Sequence, residues 1–238
     1  MSYAMDYAPI AAQATENARA AFIRRTYGHL AGAILAFIGL ETLLLNLPNV
    51  HQLVWGMVSN RMTWLLIIGA YMLVSWLAES WARSSTSPVM QYFGLGLYVT
   101  VVAVIFLPLL YVAAFLVRDQ TLIPMAGILT LSIFAGLTIA AFVTQRDFSF
   151  LGPIVSIGCF LVLGVIIAGL LFKFEFPLLI AFVAVGLMSA AILYQTSNVL
   201  HHYRTDMHVA AALALFAAVA TLFYYILYIL IRVSGSRD

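Results

Sequence analysis

Ala212-Leu-Ala-Leu-Phe-Ala-Ala-Val-Ala220 runs for nine residues without a polar side chain. Strands of a membrane barrel alternate apolar and polar side chains over about ten residues, and no alternation survives here. Backbone N–H and C=O groups in hydrocarbon need partners within their own segment, which a helix supplies. The run lies inside Val209–Val233. That stretch is long enough to cross a hydrocarbon core about 30 Å thick, for which a helix needs about 20 residues.

Six further stretches of this kind precede it: Gly28–Leu47, Thr63–Trp81, Val89–Leu110, Leu122–Val143, Phe150–Phe172 and Phe176–Leu200. The connections are short and hold most of the charge: Arg61, Arg83, Arg118 with Asp119, Arg146 with Asp147, Lys173 with Glu175, and Arg204 with Asp206. Short links between long apolar helices force each helix to run antiparallel to the one before. The expected fold is an all-α membrane protein, a compact bundle of seven transmembrane helices. Pro108 leaves the third span open: it stops at Leu110, or it kinks there and continues to about Val117. A six-span or re-entrant arrangement stays open too, because apolar length alone does not separate a span from a re-entrant segment.

Composition agrees with this reading. Of 238 residues, 64% are hydrophobic and 8% charged, against about 25% charged in soluble domains, so a soluble domain of any size is excluded. A net charge of +2 is too small and dispersed for a nucleic-acid footprint. Cys159, the single cysteine, cannot form an intrachain disulfide.

Residues 1–27 read as a polar tail, 28–233 as the transmembrane domain and 234–238 as a short C-terminal tail. Asp6 and Glu16, without a basic start followed by an apolar stretch, do not make a signal peptide. With seven spans, the N-terminal side carries six basic residues and the far side five. Arg19, Arg24 and Arg25 just before the first span then place the N-terminus in the cytoplasm. Small residues recur at Gly28, Gly32 and Ala36, at Gly158, Gly164 and Gly169, and at Gly186 and Ala190. Such faces serve either a dimer interface or close packing inside the bundle.

Ionisable groups inside hydrocarbon cost about 2.5–3.5 kcal/mol on insertion scales, so each is a functional candidate. Glu41 is the one acid well inside a span. It either lines a hydrated cavity that binds a proton or cation, or reaches the far interface, or sits there as a neutral acid. Glu79 and Arg83 have the i, i+4 spacing of a helical ion pair at the interface. Gln195, Asn198 and His202 fall on one helical stripe. They form a polar mouth or simply a helix end among headgroups. His201, His202, Asp206 and His208 offer zinc-type ligands but match no zinc spacing. No His-Glu-x-x-His, Gly-x-Ser-Gly or Walker loop occurs, and Lys173, the only lysine, is in a loop. Neither enzymatic activity nor a cofactor or bound metal is expected.

The stretch Thr144-Gln-Arg146-Asp147-Phe-Ser149-Phe-Leu-Gly152 resembles the Thr-x-Arg-Asp-x-Ser/Thr-x-x-Gly segment of the Bax inhibitor-1 family, in its bacterial YccA-like branch. Arg25-Thr-Tyr27-Gly28 and Leu193-Tyr194 are similar as well, and the seven-span layout covers nearly the whole chain. The resemblance implies a multi-pass protein of the bacterial plasma (inner) membrane that acts in stress or proteostasis pathways. Its expected partners are the lipid bilayer and a membrane protease or other membrane protein, with a calcium-type cation as a candidate ligand and no nucleic acid.

In that family a pH-sensitive leak is attributed to two aspartates in the last two spans. Here Gln195 follows Leu193-Tyr194, and the second position falls near Ala218, with no acid between Asp206 and Asp238. The implied departure is the loss of a titrating pair. The alternative is a cation or proton leak that uses Glu41 and the polar end of the sixth span.

Overall fold

The computed structural model describes residues 8–84, 87–117, 119–172 and 177–234. Arg118, Lys173, Glu175 and Arg237, with parts of the tails 1–27 and 234–238 and the first residue of the Phe176–Leu200 span, lie outside the described residues. Among the described residues, seven helices are long and apolar enough to cross a membrane, and an eighth α-helix is short.

Helix α1 (Glu16–Leu45) begins ahead of the span expected from Gly28, at a cap where the Thr15 hydroxyl accepts from the Ala18 amide at 3.4 Å. Its buried residues Phe22, Thr26, Leu30, Ala33, Phe37 and Glu41 follow one another at steps of three or four, a single stripe facing the bundle. Helix α2 (Val50–Val58) has no counterpart among the expected spans. It buries Val54 and Met57 while Trp55 stays exposed, and His51 Nδ1 lies 2.9 Å from the Tyr111 hydroxyl.

Helix α3 (Arg61–Ala82) starts where the Asn60 side chain accepts from the Met62 amide, and α4 (Pro88–Tyr111) opens with proline in its first turn. Proline fits there because its missing N–H would have no partner. Beyond Pro108, α4 continues into a π-helical turn, Val112–Leu116, so the longer form of the third span is the one realised. Helix α5 (Leu122–Thr144) ends at Gln145, whose φ of 47° is left-handed. Helices α6 (Leu151–Phe172), α7 (Pro177–His201) and α8 (His208–Ser234) complete the bundle.

Helix α8 is the axle. Helices α1, α3, α4, α5 and α7 pack on it, while α6 packs on α7 at the periphery. Alanines at 210, 211, 212, 218 and 220 are buried, so neighbours approach its backbone closely, as membrane packing requires. Around Phe216 the rings of Phe37, Tyr98 and Phe106 form edge-on pairs, with Phe37 and Phe106 centroids 5.3 Å apart. Facing outward, Leu66, Val143 and Phe172 are each at least 75% exposed. A continuous belt of this kind suits lipid and would aggregate in water.

The small residues of α1 do not pack inside the bundle. Gly28, Gly32 and Ala36 are exposed, and a Cβ built at Gly28 or Gly32 meets nothing within 4 Å. Gly94 of α4 is the contrary case, with the backbone of α3 against it. At the N-terminal face, residues 9–11 form a strap along the α7–α8 loop: the Ala11 amide donates to the Tyr203 carbonyl at 2.8 Å and the Thr205 amide to the Pro9 carbonyl at 3.1 Å.

Candidate functional site

The polar end of α7 meets the ends of three other elements on the N-terminal face. Past the left-handed turn at Gln145, the chain enters the α5–α6 connection with Asp147. An Asp carboxylate readily accepts from the amide two residues on, and Asp147 Oδ1 does so from Ser149 at 2.8 Å. The Ser197 hydroxyl of α7 donates to the same carboxylate at 3.4 Å and accepts from the Phe148 amide at 2.8 Å. Asp147 Oδ2 lies 2.9 Å from His202 Nε2. Thr144 donates back to the Ala140 carbonyl at 2.8 Å, and Arg146 is exposed.

Gly152, on the first turn of α6, fits against the Tyr194 ring, where a Cβ would come within 3.0 Å. The residues of the Thr144–Gly152 stretch thus latch the α5–α6 connection onto the end of α7. The Ser149 amide, more than the His202 ring beside it, holds the Asp147 carboxyl below its ordinary range.

Behind the latch lies a vestibule. A cavity of about 350 Å³ is lined by Arg83, Ser149, Tyr194, Gln195, Asn198, His202 and Tyr203. A second, of about 180 Å³, shares Arg83 and Gln195 and extends along Ala210, Leu213, Ala214 and Ala217 of α8, with Glu79 and Ala82 of α3 opposite. From Ala210 to Ala217 is about 10 Å of helix at 1.5 Å per residue. The vestibule therefore reaches from the headgroup level into the hydrocarbon zone.

Gln195, Asn198 and His202 all line it, as the stripe predicts, and the Asn198 amide donates to the Gln195 carbonyl oxygen at 3.4 Å. Glu79 and Arg83 stand 3.9 Å apart with both side chains about half exposed, a separation at which an ion pair adds little. Chemically the space offers two amides, two phenols, a hydroxyl, an imidazole and one guanidinium with the Glu79 carboxylate beside it, which suit water and polar groups.

Glu41 is elsewhere. It continues the buried stripe of α1 one turn beyond Phe37, is 5% exposed, and is not among the residues lining either cavity. Neither carboxyl oxygen has a hydrogen-bond partner among the described residues. The histidines of the α7–α8 loop go separate ways: His202 to Asp147, His201 to the Ser197 carbonyl, and His208 against the His29 ring. Asp206 takes two hydrogen bonds from Arg204. Among the described residues no three metal-type ligands converge.

The family model described as "Inhibitor of apoptosis-promoting Bax1" matches residues 19–235. The chain belongs to the Bax inhibitor-1 family. It is similar to an uncharacterized protein of Pseudomonas aeruginosa, 29% identical over 223 residues that cover 91% of this chain and 90% of the relative. The family assignment matches the resemblance in the α5–α6 connection, where the motif residues do positional work. Sequence reasoning did not pair that connection with Ser197 and His202. The contacts span about fifty residues of chain, and no local pattern announces them.

Asp147→Asn should loosen the latch of this Bax inhibitor-1 protein. Hydrogen exchange at the Phe148 and Ser149 amides is expected to quicken by roughly five- to tenfold, the worth of one hydrogen bond. An unaltered rate would refute the latch. A carboxyl held below its ordinary range stabilises above that range and loses its contribution as pH falls through its folded value. In the unsubstituted protein the same loosening is expected only in strong acid, below about pH 4.

Proposed function

We propose that this Bax inhibitor-1 protein is a modulator of stress responses or proteostasis that works through membrane-protein partners and performs no catalysis of its own. One observation supports the reading: among the described residues that line the vestibule, no two carboxylates face each other. Gln195 stands in its wall, Ala214 and Ala217 lie across from it, and Glu79 is the one carboxylate among the lining residues, beside Arg83. Two acids sharing a proton titrate as a pair and hold or release a cation with pH. An amide has no proton to share and no charge to offer. A proton-gated cation path of the dyad type therefore has no titrating pair here. In this reading the N-terminus lies on the cytoplasmic side of a bacterial inner membrane, as the basic residues Arg19, Arg24 and Arg25 ahead of the first span favour, so that the vestibule and latch face soluble and membrane-bound quality-control factors.

The second reading, a cation or proton leak, is favoured by the buried carboxyl of Glu41, which has no partner among the described residues. One experiment in two arms separates the readings. Detergent-solubilised protein carrying a C-terminal tag is cross-linked and recovered from its host membrane, and the same preparation is reconstituted into liposomes holding a calcium-sensitive dye. The first reading expects a stoichiometric membrane-protein partner and no flux above empty liposomes. Recovery of no partner above background overturns it, and flux abolished by Glu41→Gln installs the second reading in its place.

A further inference from the structure

A cavity of about 690 Å³ is an open groove between α1 and α4 that shares no lining residue with the vestibule. Two ridges frame it. On α1, Arg24, Gly28, Gly32 and Leu40 stand at multiples of four residues; on α4, Tyr92, Gly96 and Thr100 do the same. Side chains four apart are neighbours on a helix surface, and the ridges they form climb each helix at an incline of about 26° to its axis. Glycines in membrane helices ordinarily bring two backbones together. Here they do not: a Cβ at Gly28, Gly32 or Gly96 would meet nothing within 4 Å. These glycines keep open a slot that the protein itself leaves empty, floored by the buried Ala33, Leu95 and Val99.

The slot is amphiphilic from end to end. Arg24 and Arg25 stand at its mouth on the N-terminal face, exposed and without an ion-pair partner among the described residues. His29 bridges the two helices beside them, its Nε2 3.3 Å from the Tyr92 hydroxyl. No acid lines the groove among the described residues. Above the basic mouth the lining is almost wholly apolar. Gly28 to Leu40 spans about 18 Å of helix, little more than half of a hydrocarbon core about 30 Å thick. A partner transmembrane helix would need the full depth, whereas a lipid of one leaflet needs half. Basic residues at the membrane surface attract anionic headgroups.

We propose that this groove is a binding site for one anionic phospholipid from the leaflet on the N-terminal face. Its phosphate sits between Arg24 and Arg25, and one acyl chain lies over Gly28, Gly32 and Gly96. The proposal is independent of the functional reading of the vestibule.

Native mass spectrometry of the full chain in detergent, titrated with phosphatidylglycerol or with phosphatidylcholine, tests it. Phosphatidylglycerol should be retained roughly thirtyfold more strongly, the advantage expected of two surface arginines. The double change R24Q/R25Q should erase that preference. Because both side chains are exposed, it leaves the bundle intact. Gly32→Leu and Gly96→Leu, which enter open space, should each displace phosphatidylglycerol. Equal retention of the two lipids overturns the proposal, as does phosphatidylglycerol binding that survives the leucine substitutions. A dimer that Gly32→Leu splits into monomers overturns it as well, giving the groove to a second copy of the chain.

Discussion

Glu41→Leu should make the bundle more stable, raising the thermal unfolding midpoint in detergent. The side chain occupies a core-facing position of α1 and is 5% exposed, and neither oxygen has a hydrogen-bond partner among the described residues. A buried polar group without a partner costs about 1–3 kcal/mol, and Glu41, one turn from the end of α1, falls under that figure rather than the mid-bilayer one. Leucine has a similar volume and removes the polar atoms, so cavity and strain terms stay small. A gain of about 1–3 kcal/mol corresponds to a rise of roughly 3–10 °C in a chain of this size. Glu41→Gln should show no such gain, because its amide is buried just as unmet. A midpoint lowered by Glu41→Leu would mean that the carboxyl is held by a partner. A destabilising acid kept in a core is what function at that position would require.

Gly94 should be the least tolerant glycine of the described helices. A Cβ there would lie 2.5 Å from the Ala78 carbonyl oxygen and 2.6 Å from the Ala82 nitrogen. Both obstacles are backbone of α3, which cannot rotate aside as a side chain can. Gly94→Ala must push α3 away from α4, and overpacking of this kind costs about 1–3 kcal/mol, with leucine costing more. Lipid tails are as apolar as the helices, so no hydrophobic force draws α3 back and the association depends on the close packing that the Cβ disrupts. The matched control is Gly32→Ala, whose Cβ enters open space. It should be neutral or slightly stabilising, since glycine costs a helix about 0.5–1 kcal/mol relative to alanine. Equal unfolding midpoints for the two variants would contradict the packing described. Because α3 ends in Glu79 and Arg83, Gly94→Ala should also widen the vestibule.

The seven spans were legible because bilayer thickness sets a minimum length that apolar runs either meet or miss. Helix α2 was not, since nine residues are too few to cross and its apolar side chains look like loop filler. The start of α1 at Glu16 was hidden for a related reason. Its first turns carry Arg19, Arg24 and Arg25 outside the hydrocarbon, where apolarity gives no signal. Pro108 left two readings, and the π-helical turn at Val112–Leu116 is how the longer one is accommodated.

Within the site, the Gln195–Asn198–His202 stripe could be read from spacing alone. Its union with Arg83 and Asp147 could not, because it depends on which helix ends share a membrane face. The orientation of Glu41 was equally hidden, since α1 is apolar on all sides over its central turns. Only the packing of α4 and α8 against it distinguishes core from lipid.

The strap at residues 9–11 bears on how the protein is made. Its hydrogen-bonding partners, Tyr203 and Thr205, are translated only after six of the seven long helices of the described residues have been synthesised. The earliest described part of the chain is therefore among the last to be seated. Arg24 and Arg25 take no part in the strap and are exposed, so seating the N-terminal residues late leaves the basic orientation signal ahead of the first span untouched.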